Sequence, residues 1–279
     1  MDAHFHTFSF VDRITSLDEG RRIRGHYTIP AGLKEFPLSL AGEAVGQLAA
    51  WAAMAAVDFE HRPVAGLAGS VELFASPHPG QALELEAELE HVDAESVQYS
   101  GTAQRDGKLM IRLQDCVGPM VRQADFDDPA ALRTRFEELR RNGAHPGGFP
   151  GLPPLTFERT GGEAGRRVSA LFQVPSSAPL FADHFPRRPV FPGSLLMHLN
   201  LRLGAALAGE MAPPPEGRWA AGTILDMKLR SFIAPGATLR LEAMIRQQAE
   251  DSATLGLETR MNEEIIATSA LVLKAQEAP

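Results

Sequence analysis

The most chemically specific stretch of this 279-residue chain is Asp183-His184-Phe185-Pro186-Arg187-Arg188-Pro189-Val190-Phe191-Pro192-Gly193-Ser194-Leu195-Leu196. One histidine sits in a Pro-rich loop directly before an apolar run, so a proton acceptor that titrates near neutrality is delivered to the start of a helix. Arg187-Arg188 beside it could attract an anion; as a solvated pair, or as partners for Asp183, they would do no chemistry. The remaining histidines have no ligand-like spacing beyond His4-x-His6, which reads as a chain terminus rather than a metal site. Cys116 is the single cysteine, so neither an intrachain disulfide nor a cysteine-based zinc site can form.

The chain repeats itself. Phe36-Pro37 recurs as Phe191-Pro192, Ser39-Leu40 as Ser194-Leu195, Leu48 as Leu203 and Ala50 as Ala205, all at a spacing of 155. Ala65-Gly66 recurs as Ala221-Gly222, Leu73 as Leu229, Pro79-Gly80 as Pro235-Gly236 and Glu86-Ala87 as Glu242-Ala243, now at 156. Such self-similarity makes two copies of one structural unit the first hypothesis for the fold.

With the repeat in hand, the 183–196 stretch resembles the active-site motif of the hotdog-fold 3-hydroxyacyl-[acyl-carrier-protein] dehydratases, His-Phe-Pro-Gly-Arg-Pro-Val-x-Pro-Gly leading into a central helix. Phe10-Val11-Asp12-Arg13-Ile14 extends the likeness to the start of the chain. Two positions depart from the motif. Arg187 stands where the family usually has Gly, and His198, fourteen residues after His184, stands where the family has Glu or Asp. Shifting His198 back by 155 lands on Glu43, within Glu43-Ala44-Val45-Gly46-Gln47, which resembles the family's acidic-x-x-x-Gln helix motif; shifting His184 back lands on Ile29.

Each half thus carries what the other lacks. Family sites take histidine and carboxylate from opposite members of a hotdog pair, so the resemblance implies one composite site, with His184 as base and Glu43 as acid, and an inactive counterpart at Ile29 and His198. Gln47, one turn beyond Glu43, is placed to orient the carboxyl, although Gln is also an ordinary helix former. The Gly193 N–H, at a helix N-terminus, can hold a thioester oxygen as charge develops on it. Phe185 and Pro192 belong to the same substrate-facing loop. Arg187 and Arg188 could meet a phosphopantetheine phosphate or an acidic carrier protein.

The elements that must position these groups are legible as patterns. Leu38 to Val57 reads as a buried helix, too polar at Glu43 and Gln47 for a membrane span. Leu83, Leu85, Ala87 and Leu89 alternate with Glu84, Glu86 and Glu88, the period of a half-buried strand, and Leu239, Leu241 and Ala243 repeat it. Val97–Gln104, Leu109–Leu113, Ala253–Thr259 and Ile265–Leu273 supply further strands. Asp128-Pro129 opens a helix that Asn142-Gly143 ends near Arg141, and the breakers of 145–151 follow. The expected fold is α+β: a double hotdog, with an N-terminal repeat over 1–124, a helical linker over 125–151 and a C-terminal repeat over 152–279. Leu40, Leu196, Leu199 and Trp51 are expected primarily in its core, and sequence does not separate that use from lining an acyl tunnel.

A net charge of −8 without a Lys/Arg-dense stripe argues against nucleic acid as partner. The first residues lack the basic-then-apolar order of a signal peptide, so a cytoplasmic protein is expected. The resemblance implies dehydration of a 3-hydroxyacyl thioester linked to acyl carrier protein or CoA, with no metal or redox cofactor, in fatty-acid or polyketide-type synthesis. A thioesterase or dehydratase/isomerase on the same scaffold, or a non-catalytic acyl-binding subunit, are the alternatives. The pseudo-dimer could stand alone or pair again as a homodimer.

Overall fold

A computed structural model describes residues 4–146, 148–215 and 217–276. Among them the first half comprises β1 (Arg13–Asp18), β2 (Arg22–Thr28), α1 (Leu38–Ala56), β3 (His61–Pro63), β4 (Leu67–Leu73), β5 (Ala82–Val92), β6 (Ser96–Arg105) and β7 (Lys108–Arg122). After α2 (Pro129–Arg141), the second half comprises β8 (Glu158–Glu163), β9 (Arg167–Gln173), α3 (Gly193–Ala208), β10 (Arg218–Leu229), β11 (Thr238–Gln248), β12 (Ser252–Met261) and β13 (Glu264–Gln276). One antiparallel sheet runs β1-β2-β5-β6-β7-β4-β10-β13-β12-β11-β9-β8, with β3 paired to β7.

The sheet order is the same when read outward from its middle in either direction, and the joint explains why. At the β4–β10 seam Glu72 pairs with Thr223 and Leu67 with Lys228. Thr223 lies 156 residues after Leu67, and Lys228 lies 156 after Glu72. Exchanging the two halves therefore maps the seam onto itself, the self-complementary contact of a two-fold pair. One copy's sheet wraps α1, the other's wraps α3, and the two helices touch at the centre.

Both helices start on the same device. Pro37 and Pro192 cap them with nearly identical extended backbone, φ −58°, ψ 140° and φ −62°, ψ 138°. A proline there presets φ and lacks an N–H that the first turn would leave unpaired. Alternation along the strands turns Leu83, Leu85, Ala87 and Leu89 inward onto α1, and Leu239, Leu241 and Ala243 inward onto α3. Leu40, Leu196 and Leu199 are buried, as expected.

The segment between the halves is more than a spacer. The Asp128 carboxylate accepts from Ala130 N at 3.2 Å, the expected N-cap of α2, a contact that stabilises by about 1 kcal/mol. Phe136 of α2 stacks on Trp51 with ring centroids 6.1 Å apart. Within the breaker-rich stretch, Phe149 is buried edge-on against Phe10 at 5.1 Å and Phe36 at 6.2 Å. Proline and glycine punctuation correctly marks irregular backbone there but does not reveal that a single aromatic anchors it in the core. Among the described residues, no helix is long and apolar enough to cross a membrane.

Candidate active site

A cavity of about 270 Å³ opens where α1 meets the start of α3, and its wall includes Glu43, Gln47, His184, Phe185 and Gly193. The two halves thus bring the histidine and the carboxylate to one space. His184 Nδ1 lies 2.8 Å from the Val190 carbonyl. A carbonyl only accepts, so Nδ1 carries the proton and Nε2 keeps a lone pair. The loop is closed on itself by Val190 N donating to His184 O at 2.9 Å and His184 N donating to Leu180 O at 2.9 Å. Burial pushes the His184 imidazolium below the usual histidine range, Arg62 adds to that effect, and Glu43 and the Val190 carbonyl oppose it.

Gln47 fixes the carboxyl. Its Nε2 donates to Glu43 Oε1 at 3.0 Å and to Phe8 O at 2.9 Å, and its Oε1 accepts from Phe10 N at 2.8 Å. Both ends of the amide are engaged, so it has one orientation, and Glu43 takes its position from the chain segment before β1. The surroundings of Glu43 are less apolar than its helix alone implies, because Arg62 lines the same cavity.

Gly193 is the first residue of α3, where an N–H has no acceptor within the helix. A Cβ at this position would come within 2.6 Å of Leu229 Cδ1, so glycine lets Leu229 pack against the helix start. Phe185 lines the cavity, whereas Pro192 serves as the cap of α3 and lies off the cavity wall.

Arg187 and Arg188 also lie off that wall. Arg187 donates to Ala124 O at 2.8 Å, and Arg188 stacks over Phe126 and Phe232 at 5.3 and 4.9 Å. Asp183 pairs with neither of them. Its carboxylate accepts from the backbone N–H groups of Phe5, Thr7 and Phe8, the last two at 2.7 Å, and from Ser9 Oγ at 3.3 Å. The segment read as a chain terminus is therefore a strap: His4 meets Asp127 at 3.1 Å, and Phe5 and Phe8 line the cavity. Among the described residues, no group of three or more His, Cys, Asp or Glu could hold a metal ion.

From Glu43 the cavity continues along α1 past Gly46 to Trp51 and Met54, with Leu132 and Leu139 of α2 on its wall. Eleven helical residues correspond to roughly 16 Å of depth. Along α3 the corresponding positions carry larger side chains. Met197 stands at the repeat position of Gly42 and Leu201 at that of Gly46, and the small cleft beside Met197 measures only about 10 Å³. Ile29 is fully buried, and neither it nor His198 lines the large cavity; the charged neighbours of His198 are Arg202 and Glu35.

Sequence reasoning missed Arg62, the strap, and Tyr99, whose hydroxyl faces Gly46 on the cavity wall. Arg62 belongs to a three-residue strand without a period, and the Asp183 contacts are made to backbone, which carries no residue signature.

Comparison with known proteins is consistent with this geometry. The family described as ApeI-like, ApeI dehydratase, matches residues 161–269, which hold the His184 loop and α3. The 3-hydroxyacyl-[acyl-carrier-protein] dehydratase FabZ of Acetivibrio thermocellus is 39% identical over 82 residues, 29% of this chain and 56% of that protein. The fold is a double hotdog, and its second half resembles the hotdog dehydratases in sequence. It spans less than two thirds of the length of the curated relatives it matches. The double hotdog also superposes on a solved MaoC-like dehydratase with a TM-score of 0.55 at 10% identity, covering 92% of this chain and 98% of the other. A 12:0-ACP thioesterase from Umbellularia californica gives 0.55 at 9% identity, covering 99% and 98%. At such identities these two likenesses concern the fold alone.

Proposed function

We propose that this double hotdog dehydrates a 3-hydroxyacyl thioester, carried by acyl carrier protein or CoA, to the trans-2-enoyl thioester at one composite site. The observation that carries this reading is that His184 from the second half and Glu43 from the first line one cavity, each with its orientation set by a backbone-anchored partner. His184 Nε2 removes the proton α to the thioester carbonyl, and the electron pair moves toward the carbonyl oxygen, held by the Gly193 N–H. As the C3–O bond breaks, Glu43 gives its proton to the departing oxygen and water leaves. The proton held by His184 returns to Glu43 or solvent before the next turn.

The acyl chain lies along α1 toward Trp51 and Met54. Arg187 and Arg188, exposed on the outer side of the loop, are available to the phosphate or acidic surface of a carrier. The reading is tested by offering purified protein 3-hydroxyacyl thioesters of graded length and following enoyl product by mass spectrometry. Enoyl formation absent from a His184→Ala control supports it; free thiol release without enoyl product would assign a thioesterase instead, and a shifted double bond an isomerase.

A further inference from the structure

Of the charged residues on the cavity wall that the composite site does not use, Asp127, Arg135 and Asp183 have hydrogen-bond partners within the protein, and the underpartnered one is Arg62. It sits at the centre of β3, and its guanidinium lies over the Phe185 ring at 3.8 Å, beside His184 in the loop. Its Nε and Nη1 are buried without a hydrogen-bond partner. The carboxylate nearest to it, Asp127, is 4.0 Å away and already accepts from Asp128 N at 2.7 Å and meets His4 at 3.1 Å. Burial lowers the pKa of Arg62 to about 10, with Asp127 and Glu43 opposing that shift. An underpartnered buried guanidinium costs stability, by about 1–3 kcal/mol or more for a charged group. Such a group is expected where something other than the protein completes its hydrogen bonds.

The position of Arg62 narrows what that something is. Residues 63–66 follow it along the cavity wall, and Ala65 lies beside Gly193 at the start of α3. Arg62 therefore faces the reacting end of the cavity rather than its apolar depth. Of the oxygens a 3-hydroxyacyl thioester carries there, the carbonyl oxygen is taken by Gly193, and the 3-oxygen is left for the side of the site that holds Glu43.

We propose that Arg62 is a third charged member of the site, donating a hydrogen bond to the substrate's 3-oxygen as the C3–O bond breaks. The oxygen keeps the bond's electron pair, the proton comes from Glu43, and Arg62 stays protonated throughout. This rests on the dehydratase reading above. The charged groups facing His184 are Glu43 from α1 and Arg62 from β3, while the neighbouring Asp183 turns its carboxylate to the strap and Asp127 and His4 lie behind Arg62.

The test is kcat, KM and the pH profile of kcat/KM for Arg62→Gln and Arg62→Lys, with thermal unfolding of each. Loss of a donor to developing charge lowers kcat about 10²-fold at little change in KM, and Lys recovers part of it. The acidic limb of the Arg62→Gln profile moves to higher pH, because a positive charge that opposed His184 protonation is gone. Arg62→Gln at wild-type kcat with an unmoved limb overturns the proposal, and so do equal losses in Gln and Lys that track a lowered Tm. If the wild type itself forms no enoyl thioester, the dehydratase reading falls and this inference with it; a competent wild type with an indifferent Arg62→Gln removes this inference alone.

Discussion

Met197 stands on α3 where Gly42 stands on α1, 155 residues earlier, and the two positions meet across the helix pair, Met197 Cε lying 3.9 Å from where a Cβ on Gly42 would be. Both residues line the large cavity, glycine leaving its α1 wall bare where α3 carries a side chain.

Gly42→Met is expected to plug the open channel. The new side chain meets Ile111 Cδ1, 3.2 Å from the Cβ position, so stability falls by about 1–3 kcal/mol from overpacking. The ratio of kcat/KM for long over short 3-hydroxyacyl thioesters falls by about 10-fold or more, because only long chains need the space beyond Glu43. An unchanged ratio would show that the acyl chain takes another route.

The pH profile follows from the burial of His184. Its neutral form is the base, and its pKa lies below the usual 6.5. Activity is then retained as pH falls through 6.5 and lost only as it falls through the depressed value. An acidic limb of kcat/KM above 6.5 would contradict this; the limb is read directly from initial rates across a buffer series.

Gln47→Leu removes the donor to Glu43 and the acceptor of Phe10 N together. Leaving that backbone N–H unpaired costs about 1–3 kcal/mol of stability, and a misoriented carboxyl lowers kcat by about 10- to 100-fold. Urea unfolding and steady-state kinetics on the same preparation separate the two effects, and Gln47→Glu, which keeps the acceptor, is expected to retain more stability than activity.

Asp183→Ala releases the strap. Three backbone N–H groups lose their acceptor, so amide exchange at Phe5, Thr7 and Phe8 rises together while the β4–β10 seam remains protected. Asp183→Asn, with one acceptor oxygen left, gives an intermediate response. Unchanged exchange in the Ala variant would mean the strap is held by its aromatic contacts alone.

How far the sequence carries depends on the range of the interaction read. Alternation at Leu83–Leu89, the Asp128-Pro129 cap and the repeated Phe-Pro before each helix are local, and each became the element expected. That Glu43 and His184 line one cavity is a long-range relationship, yet legible, because the duplication converts a distance in space into an offset in number. The role of Arg62 is not read from an offset: 156 residues on stands Arg218, a like charge and not a complementary group, and only the fold sets Arg62 against Phe185. Asp183 was readable as an anion beside Arg187-Arg188, but three backbone amides outcompete two exposed guanidinium groups whose pairing in water is worth little. Phe149 was hidden by its own neighbours, since glycine and proline describe backbone and not burial.

The composite site is tested most directly by a double-mutant cycle on His184→Ala and Glu43→Gln, with enoyl thioester formation as the readout and His198→Ala as the control. Groups that act as a unit on one substrate lose their effect together, so each single variant should fall by about 10²- to 10⁴-fold, the double variant no further than the worse single one, and His198→Ala not at all. Full activity in Glu43→Gln, or a loss in His198→Ala matching that of His184→Ala, would contradict a single site shared between the two halves.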